Sequence, residues 1–213
     1  TKDATIREIH HRVKNNLQSV AALLRLQARR MPDSQGRAAL AEAVRRVGTI
    51  ALVHETLSRG LDETVEFDEV ADRAVRAVVE VTTHSGAVDA ARVGSFGRVR
   101  AEDATALAMI VSELVQNAVE HGVGGSGGTV RVEARRKAGR DGDDVLTVTV
   151  TDNGAGLPGG KLPAGRTIAG SGLGTQIVQS LVQDLRGKIT WSTPPEGGTA
   201  VKFTARLRRL PSG

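Results

Sequence analysis

Cysteine and tyrosine are absent from the 213-residue sequence, and aromatic side chains make up only 2% of it. Without cysteine there is no disulfide framework and no thiolate metal site. The rings present are Trp191, Phe67, Phe96 and Phe203, too few for a platform that stacks single-stranded nucleic acid. The net charge of +5 invites a nucleic-acid reading. Arg, however, is scattered through helices and strands and forms no stripe, so direct nucleic-acid binding is not expected. No apolar run approaches the roughly 20 residues that cross a bilayer, and no signal peptide opens the chain. The expected setting is cytoplasmic, with no membrane segment in this fragment. The sequence starts at Thr1 in a helical pattern, as a chain does when its upstream part has been cut away. Hydrophobic residues still make up 39%, enough for cores packed from Val, Leu, Ile and Ala.

Residues 4–30 carry Ile6, Ile9, Val13, Leu17, Val20, Leu23 and Leu24 at helical spacing. Met31-Pro32-Asp33-Ser34-Gln35-Gly36 interrupts the pattern. A second helix is expected over 37–58, with Leu40, Val44, Val47, Ile50, Val53 and Leu57 on one face. The short loop predicts an antiparallel hairpin. A lone hairpin leaves each stripe half covered, and pairing of two copies into a four-helix bundle predicts a homodimer. Gly60 and Asp62 mark a boundary, giving units 1–60 and 61–213. The second unit predicts strands near 65–67, 91–100, 130–134, 145–151, 187–193 and 199–207, and helices over 68–82, 102–121 and 172–186. Residues 136–144 are expected as a hairpin loop and 153–171 as a long Gly/Pro-rich lid. Strands and helices mix without βαβ regularity, so the fold class is α+β, with helices layered on one face of a mixed sheet.

Three motifs follow one another in the second unit. In Glu113-Leu114-Val115-Gln116-Asn117-Ala118-Val119-Glu120-His121, the spacing i, i+4, i+8 puts Glu113, Asn117 and His121 on one helix face. A carboxylate and an amide oxygen so stacked can hold Mg²⁺, directly or through water; an ordinary polar face reads equally well from this segment alone. Asp152-Asn153-Gly154-Ala155-Gly156 closes an alternating strand. Its Asp can accept from an exocyclic amine such as adenine's, and its glycines allow close backbone approach, though a plain Asp-Gly turn has the same letters. Gly170-Ser171-Gly172-Leu173-Gly174 precedes a helix whose exposed amides suit a phosphate. It is neither a Rossmann fingerprint nor a Walker A loop.

In this order the three resemble the N, G1 and G2 boxes of the GHKL (Bergerat-fold) ATP-binding domain, over residues 65–207. Gly198-Thr199 resembles that family's final Gly-Thr beside the adenine. The resemblance implies a Bergerat-type α/β sandwich binding ATP and Mg²⁺. It implies that Asn117 is the metal ligand, with Glu113 acting through water, and that His121 belongs to the same box. Asp152 would read the adenine amine beside Gly154, Gly156 and Thr199. Gly170, Ser171, Gly172, Leu173 and Gly174 would lie at the phosphates, and 157–171 would form a lid from which Lys161 and Arg166 reach phosphate oxygens. The glycine-rich phenylalanine motif of many histidine kinases is missing.

Glu8-Ile9-His10-His11-Arg12-Val13-Lys14-Asn15-Asn16-Leu17-Gln18 resembles the His-Arg-Val-Lys-Asn signature of the HisKA_2 and HWE histidine kinases. The Trp-x-Glu pattern of the HWE group is absent, so HisKA_2 is the better label. At about 100° per residue His10 lies at the edge of the apolar stripe and His11 nearly opposite it, beside Lys14, Asn15 and Gln18. A phosphate acceptor must be exposed, and His11 is also the residue the signature selects. His10, His54 and His84 are expected to be structural. Where most histidine kinases place an acid after the acceptor, Arg12 stands. That leaves Asn15 to orient the ring, Glu113 to act as base, and Arg12 and Lys14 to stabilise phosphate charge. The resemblance implies autophosphorylation on His11 and transfer to the aspartate of a response-regulator receiver domain; likeness to mycobacterial members points to an RNA-binding antiterminator-type regulator. A GHKL ATPase or anti-sigma serine kinase would have no use for the histidine helix. A nucleotide-binding but inactive kinase is disfavoured by the presence of the expected motif residues.

Overall fold

The computed structural model describes residues 1–60, 62–82, 88–123, 127–154 and 172–211. Helix α1 (Lys2–Arg30) ends where Met31 turns extended, ahead of Pro32, which disfavours helical backbone in its predecessor. The Asp33 carboxylate caps α2 (Ser34–Arg59) by accepting from the amides of Gln35 and Gly36, satisfying donors that a helix start leaves orphaned. The result is the expected hairpin, with α1 packed along α2. Its burial is one-sided. In α1 only His10 and Ala21 are buried, and Ile9, Val20, Leu23 and Leu26 stay exposed.

Beyond the hairpin come β1 (Thr64–Glu66), α3 (Phe67–Thr82), β2 (Val88–Gly94), β3 (Arg98–Arg100) and α4 (Ala101–Asn117). A π-helical turn (Ala118–Val123) leads to β4 (Gly128–Ala138) and β5 (Asp143–Asp152), and α5 (Gly172–Asp184), β6 (Ile189–Ser192) and β7 (Thr199–Arg208) complete the order. A five-stranded sheet runs β2-β4-β5-β7-β6, parallel at β2–β4 and antiparallel elsewhere, while β1 and β3 pair separately. One face of the large sheet sends Val130, Val132, Ala134, Leu146, Val148, Val150, Phe203, Ala205 and Leu207 into a core shared with α3, α4 and α5, as period-2 strands covered on one face require. Val53 and Leu57 of α2 join the same core, so the lower half of the hairpin is seated on the helical layer. The fold is therefore α+β with a mixed sheet, as expected.

Three local expectations are corrected. The strand expected at 91–100 is two strands in different sheets. Gly94 and Gly97 both adopt positive φ (77° and 72°) and turn the chain around buried Phe96, a conformation that glycine reaches without a Cβ penalty. The helix expected to run to 121 is α-helical only to Asn117. The following π turn breaks the 3.6-residue phase, so the shared-face argument holds for Glu113 and Asn117 but does not extend to His121. The loop expected at 136–144 is mostly strand. Its charges are cross-strand partners, with Arg136 2.9 Å from Asp144, which also meets Arg209 at 2.9 Å.

Candidate active site

The ends of β5 and β7 build the first half of the site. Asp152 is paired in register with Thr199 and is buried. Its Oδ1 accepts from the Gly154 amide at 2.9 Å. Burial pushes the Asp152 carboxyl up, and hydrogen bonds from the Gly154 and Thr199 backbone pull partly against that shift. Neighbouring Asn153 ties the strand end to β4, its Oδ1 accepting from the Thr129 amide at 2.9 Å. Gly198 stands so close that a Cβ there would lie 1.9 Å from the Asp152 carbonyl oxygen, at a φ of +77°. Gly198→Ala is expected to destabilise the fold by more than the ~1–2 kcal/mol of left-handed strain alone, because Asp152 must also move. Urea unfolding reads this directly, and an unchanged midpoint contradicts it.

Helices α4 and α5 build the second half. Glu113 is 2% exposed, yet its carboxylate is not free. Arg45 Nη2 donates to Oε2 at 2.8 Å and Arg46 Nε to Oε1 at 2.5 Å, both from α2. Gly174, in the first turn of α5, backs onto the same group: a Cβ there would meet Glu113 Oε2 at 3.1 Å and Arg46 Nη2 at 3.7 Å. Leu173 beside it is exposed. Asn117 is half-buried at the end of α4, and the π turn that follows packs on β5, the strand of Asp152. Glu113, Asn117 and Gly174 thus belong to one helical layer, joined to the strand of Asp152 through the π turn. Gly156, Lys161, Arg166, Gly170, Ser171 and the remainder of the expected lid, with His84, lie outside the described residues, as do the side chain of His121 and the surroundings of Gly172.

Mg²⁺ takes hard oxygen donors and usually keeps waters or phosphates in its shell. Among the described residues no three of His, Cys, Asp and Glu form a metal cluster. The amide oxygen of Asn117 suits an ion carried mainly by nucleotide phosphates, whereas the Glu113 carboxylate is engaged by guanidinium groups.

The two adjacent histidines of α1 have opposite environments. His10 is buried, with Nδ1 2.9 Å from His54 Nδ1 and Nε2 3.1 Å from Glu63 Oε1. Both its nitrogens are occupied by this joint between α1, α2 and the segment that leads to β1. His11 is exposed, and Asn15 Nδ2 lies 3.4 Å from its Nδ1. Desolvation first, and His10 second, hold His54 below its ordinary value of 6.5. A group with a lowered folded pKa stabilises above its unfolded pKa and loses that contribution as pH falls through the folded one. Thermal melts are therefore expected to show the hairpin weakening as pH drops from about 7.5 to 5, less so in His54→Gln. Equal slopes in both proteins contradict this.

The arginine clamp on Glu113 and the His10–His54–Glu63 joint are not apparent in the sequence. Their partners are 67, 68, 44 and 53 residues apart, and an Arg-Arg pair on an amphipathic helix reads as solvated charge.

Residues 8–82 match the HisKA_2 family, described as histidine kinase, and residues 102–209 match HATPase_c, the histidine kinase-, DNA gyrase B- and HSP90-like ATPases. The chain belongs to the histidine kinase family. It is 46% identical to the sensor histidine kinase PdtaS of Mycolicibacterium smegmatis, over all of this chain and 42% of that protein. The PdtaS of Mycobacterium tuberculosis H37Rv is 48% identical, over all of this chain and 40% of that protein. The chain thus spans about two fifths of the curated relatives it matches. Among solved structures, the histidine kinase domain of a blue-light-activated kinase from Erythrobacter litoralis has a TM-score of 0.61 at 25% identity, covering 96% of this chain and 92% of that one. ATP binding follows from the ATPase half of the family, and no helix among the described residues is long and apolar enough to cross a membrane.

Proposed function

We propose that this chain is the cytoplasmic catalytic core of a two-component sensor histidine kinase, which moves the γ-phosphoryl group of ATP to His11 and then to a receiver-domain aspartate. The observation that carries the reading is the exposed His11 with Asn15 at its Nδ1, in one chain with an ATPase-type fold. The two ends of an Asn amide differ only in which donor or acceptor they present. With the Asn15 oxygen turned to accept from Nδ1–H, Nε2 keeps its lone pair for in-line attack on phosphorus. His10 cannot do this, since both its nitrogens face partners.

On the nucleotide side, Asp152 would accept from the adenine amine, beside Thr199 and Gly154, and the α5 amides at Leu173 and Gly174 would face phosphate. Asn117 would hold Mg²⁺, which when bound spreads phosphate charge. The exposed Ile9, Val20, Leu23 and Leu26 on α1 suit pairing of two hairpins into a homodimeric bundle, with residues 1–60 as the phosphotransfer unit and 61–213 as the ATP-binding unit. The likeness to PdtaS favours an RNA-binding antiterminator-type regulator as receiver partner. Incubation with γ-labelled ATP is the test. A phosphoprotein labile in acid and stable in alkali is expected, whereas acid-stable label points to a serine kinase and release of free phosphate alone to an ATPase.

A further inference from the structure

Arg45 and Arg46 lie one turn beyond Glu42 on α2 and both reach α4. Arg45 donates to Ser112 Oγ, to Glu113 Oε2 and to Glu42 Oε2, each at 2.8 Å. Arg46 takes the other Glu113 oxygen, and Thr49 Oγ1 donates to Ser112 Oγ at 3.3 Å. Two features set this contact apart from ordinary stabilisation. Desolvating such a group of charges costs about as much as their attraction returns, and Arg45 Nε is buried with no hydrogen-bond partner, an uncompensated cost. The contact is therefore specific without being deep. It also ties up Glu113, the carboxylate available to act on bound water or a proton. Meanwhile His11, exposed on α1, has no hydrogen bond or ion pair to α4 or α5 among the described residues.

We propose that Arg45 and Arg46 are positioning residues that act through Glu113 as a latch, holding the ATP-binding half against α2 in a resting arrangement. This rests on the histidine-kinase reading above. A displacement of α2 frees Glu113 and the ATP-binding half together. Arg46 also lies beside Gly174 at the start of α5, where a nucleotide phosphate competes with Glu113 for its guanidinium. Motion in the hairpin and arrival of phosphate therefore bias the same two-state contact, which is the physical requirement for coupling two sites.

The lack of native cysteine allows a cross-link without background. In the chain carrying Thr49→Cys and Ser112→Cys, oxidation is expected to lock α2 on α4. A non-hydrolysable ATP analogue with Mg²⁺ still binds, acid-labile phosphorylation is lost, and reduction restores it. Separately, Arg45→Ala with Arg46→Ala is expected to phosphorylate about fivefold faster or more, the lower end of typical coupling between sites, while the double Lys variant, which keeps the charge but not the forked contacts, falls between that variant and the unmodified chain. A cross-linked protein that phosphorylates as fast as its reduced form overturns the latch. So does failure of the pair to cross-link, or an alanine variant that binds nucleotide and phosphorylates no faster. Absence of phosphohistidine from the unmodified chain overturns the kinase reading, and the latch with it.

Discussion

His11→Gln is expected to abolish acid-labile phosphorylation and to leave ATP affinity unchanged. The side chain is exposed on α1, makes its one described polar contact to Asn15, and supports no part of the core. Glutamine keeps the size and polarity but offers no nucleophilic ring nitrogen. Losing the nucleophile removes the chemical step itself, so the effect is on turnover and not on binding. His10→Gln makes the opposite pattern. It keeps the acceptor and breaks the contacts to His54 and Glu63, so it lowers stability and slows phosphorylation only mildly. Titration calorimetry with an ATP analogue beside a labelling time course separates the two. A His11→Gln protein labelled at the unmodified rate contradicts the assignment.

Asp152→Asn is expected to weaken ATP binding and stabilise the empty protein. A buried carboxylate that accepts from an amine loses about 1–3 kcal/mol of binding when its partner becomes mismatched, a drop of roughly 5- to 150-fold in affinity. GTP should bind poorly to both proteins, because guanine presents a carbonyl oxygen where adenine has its amine. The stability effect has a definite sign. Burial raises the folded pKa of Asp152, so its contribution to stability is present below the unfolded pKa and lost as pH rises through the folded one. At neutral pH the ionised group is a liability that the neutral amide removes. The melting temperature of Asp152→Asn should exceed that of the unmodified chain near pH 7, with the gap closing towards about pH 4. A variant that melts lower at pH 7, or one that binds ATP as well as before, contradicts the role given to this residue.

The helices were legible because their apolar residues recur at 3.6-residue spacing, as from Leu40 to Leu57, but α2 starts at Ser34 behind its Asp33 cap, inside the stretch that Pro32 and Gly36 made look like a loop. β5 was legible from its alternation. The places that misled each involve information the local sequence does not hold. Gly94 and Gly97 looked like glycines within one strand, yet paired positive φ values divide it between two sheets. The π turn at Ala118–Val123 has no compositional mark, so the phase beyond Asn117 could not be followed. Arg136, Asp143 and Asp144 read as loop charges because their partners, Arg209 and Arg186 among them, arrive from other elements. In the site, Asp152 and Gly198-Thr199 were found by motif, and the register of β5 against β7 brings them together. The clamp on Glu113 depends on how α2 sits on α4, a tertiary fact that arginine content alone does not encode.

The adjacent histidines of α1 make one measurement decisive. The chain is phosphorylated with ATP and Mg²⁺, kept at neutral to alkaline pH, digested, and sequenced by electron-transfer fragmentation of the peptide that holds His10 and His11. The fragment between them assigns the added phosphate to one ring or the other. Phosphate on His11 alone is the expected result. Phosphate on His10, or on a serine or threonine with both histidines unmodified, would contradict the reading of α1 as the phosphate-accepting helix with His11 as its nucleophile.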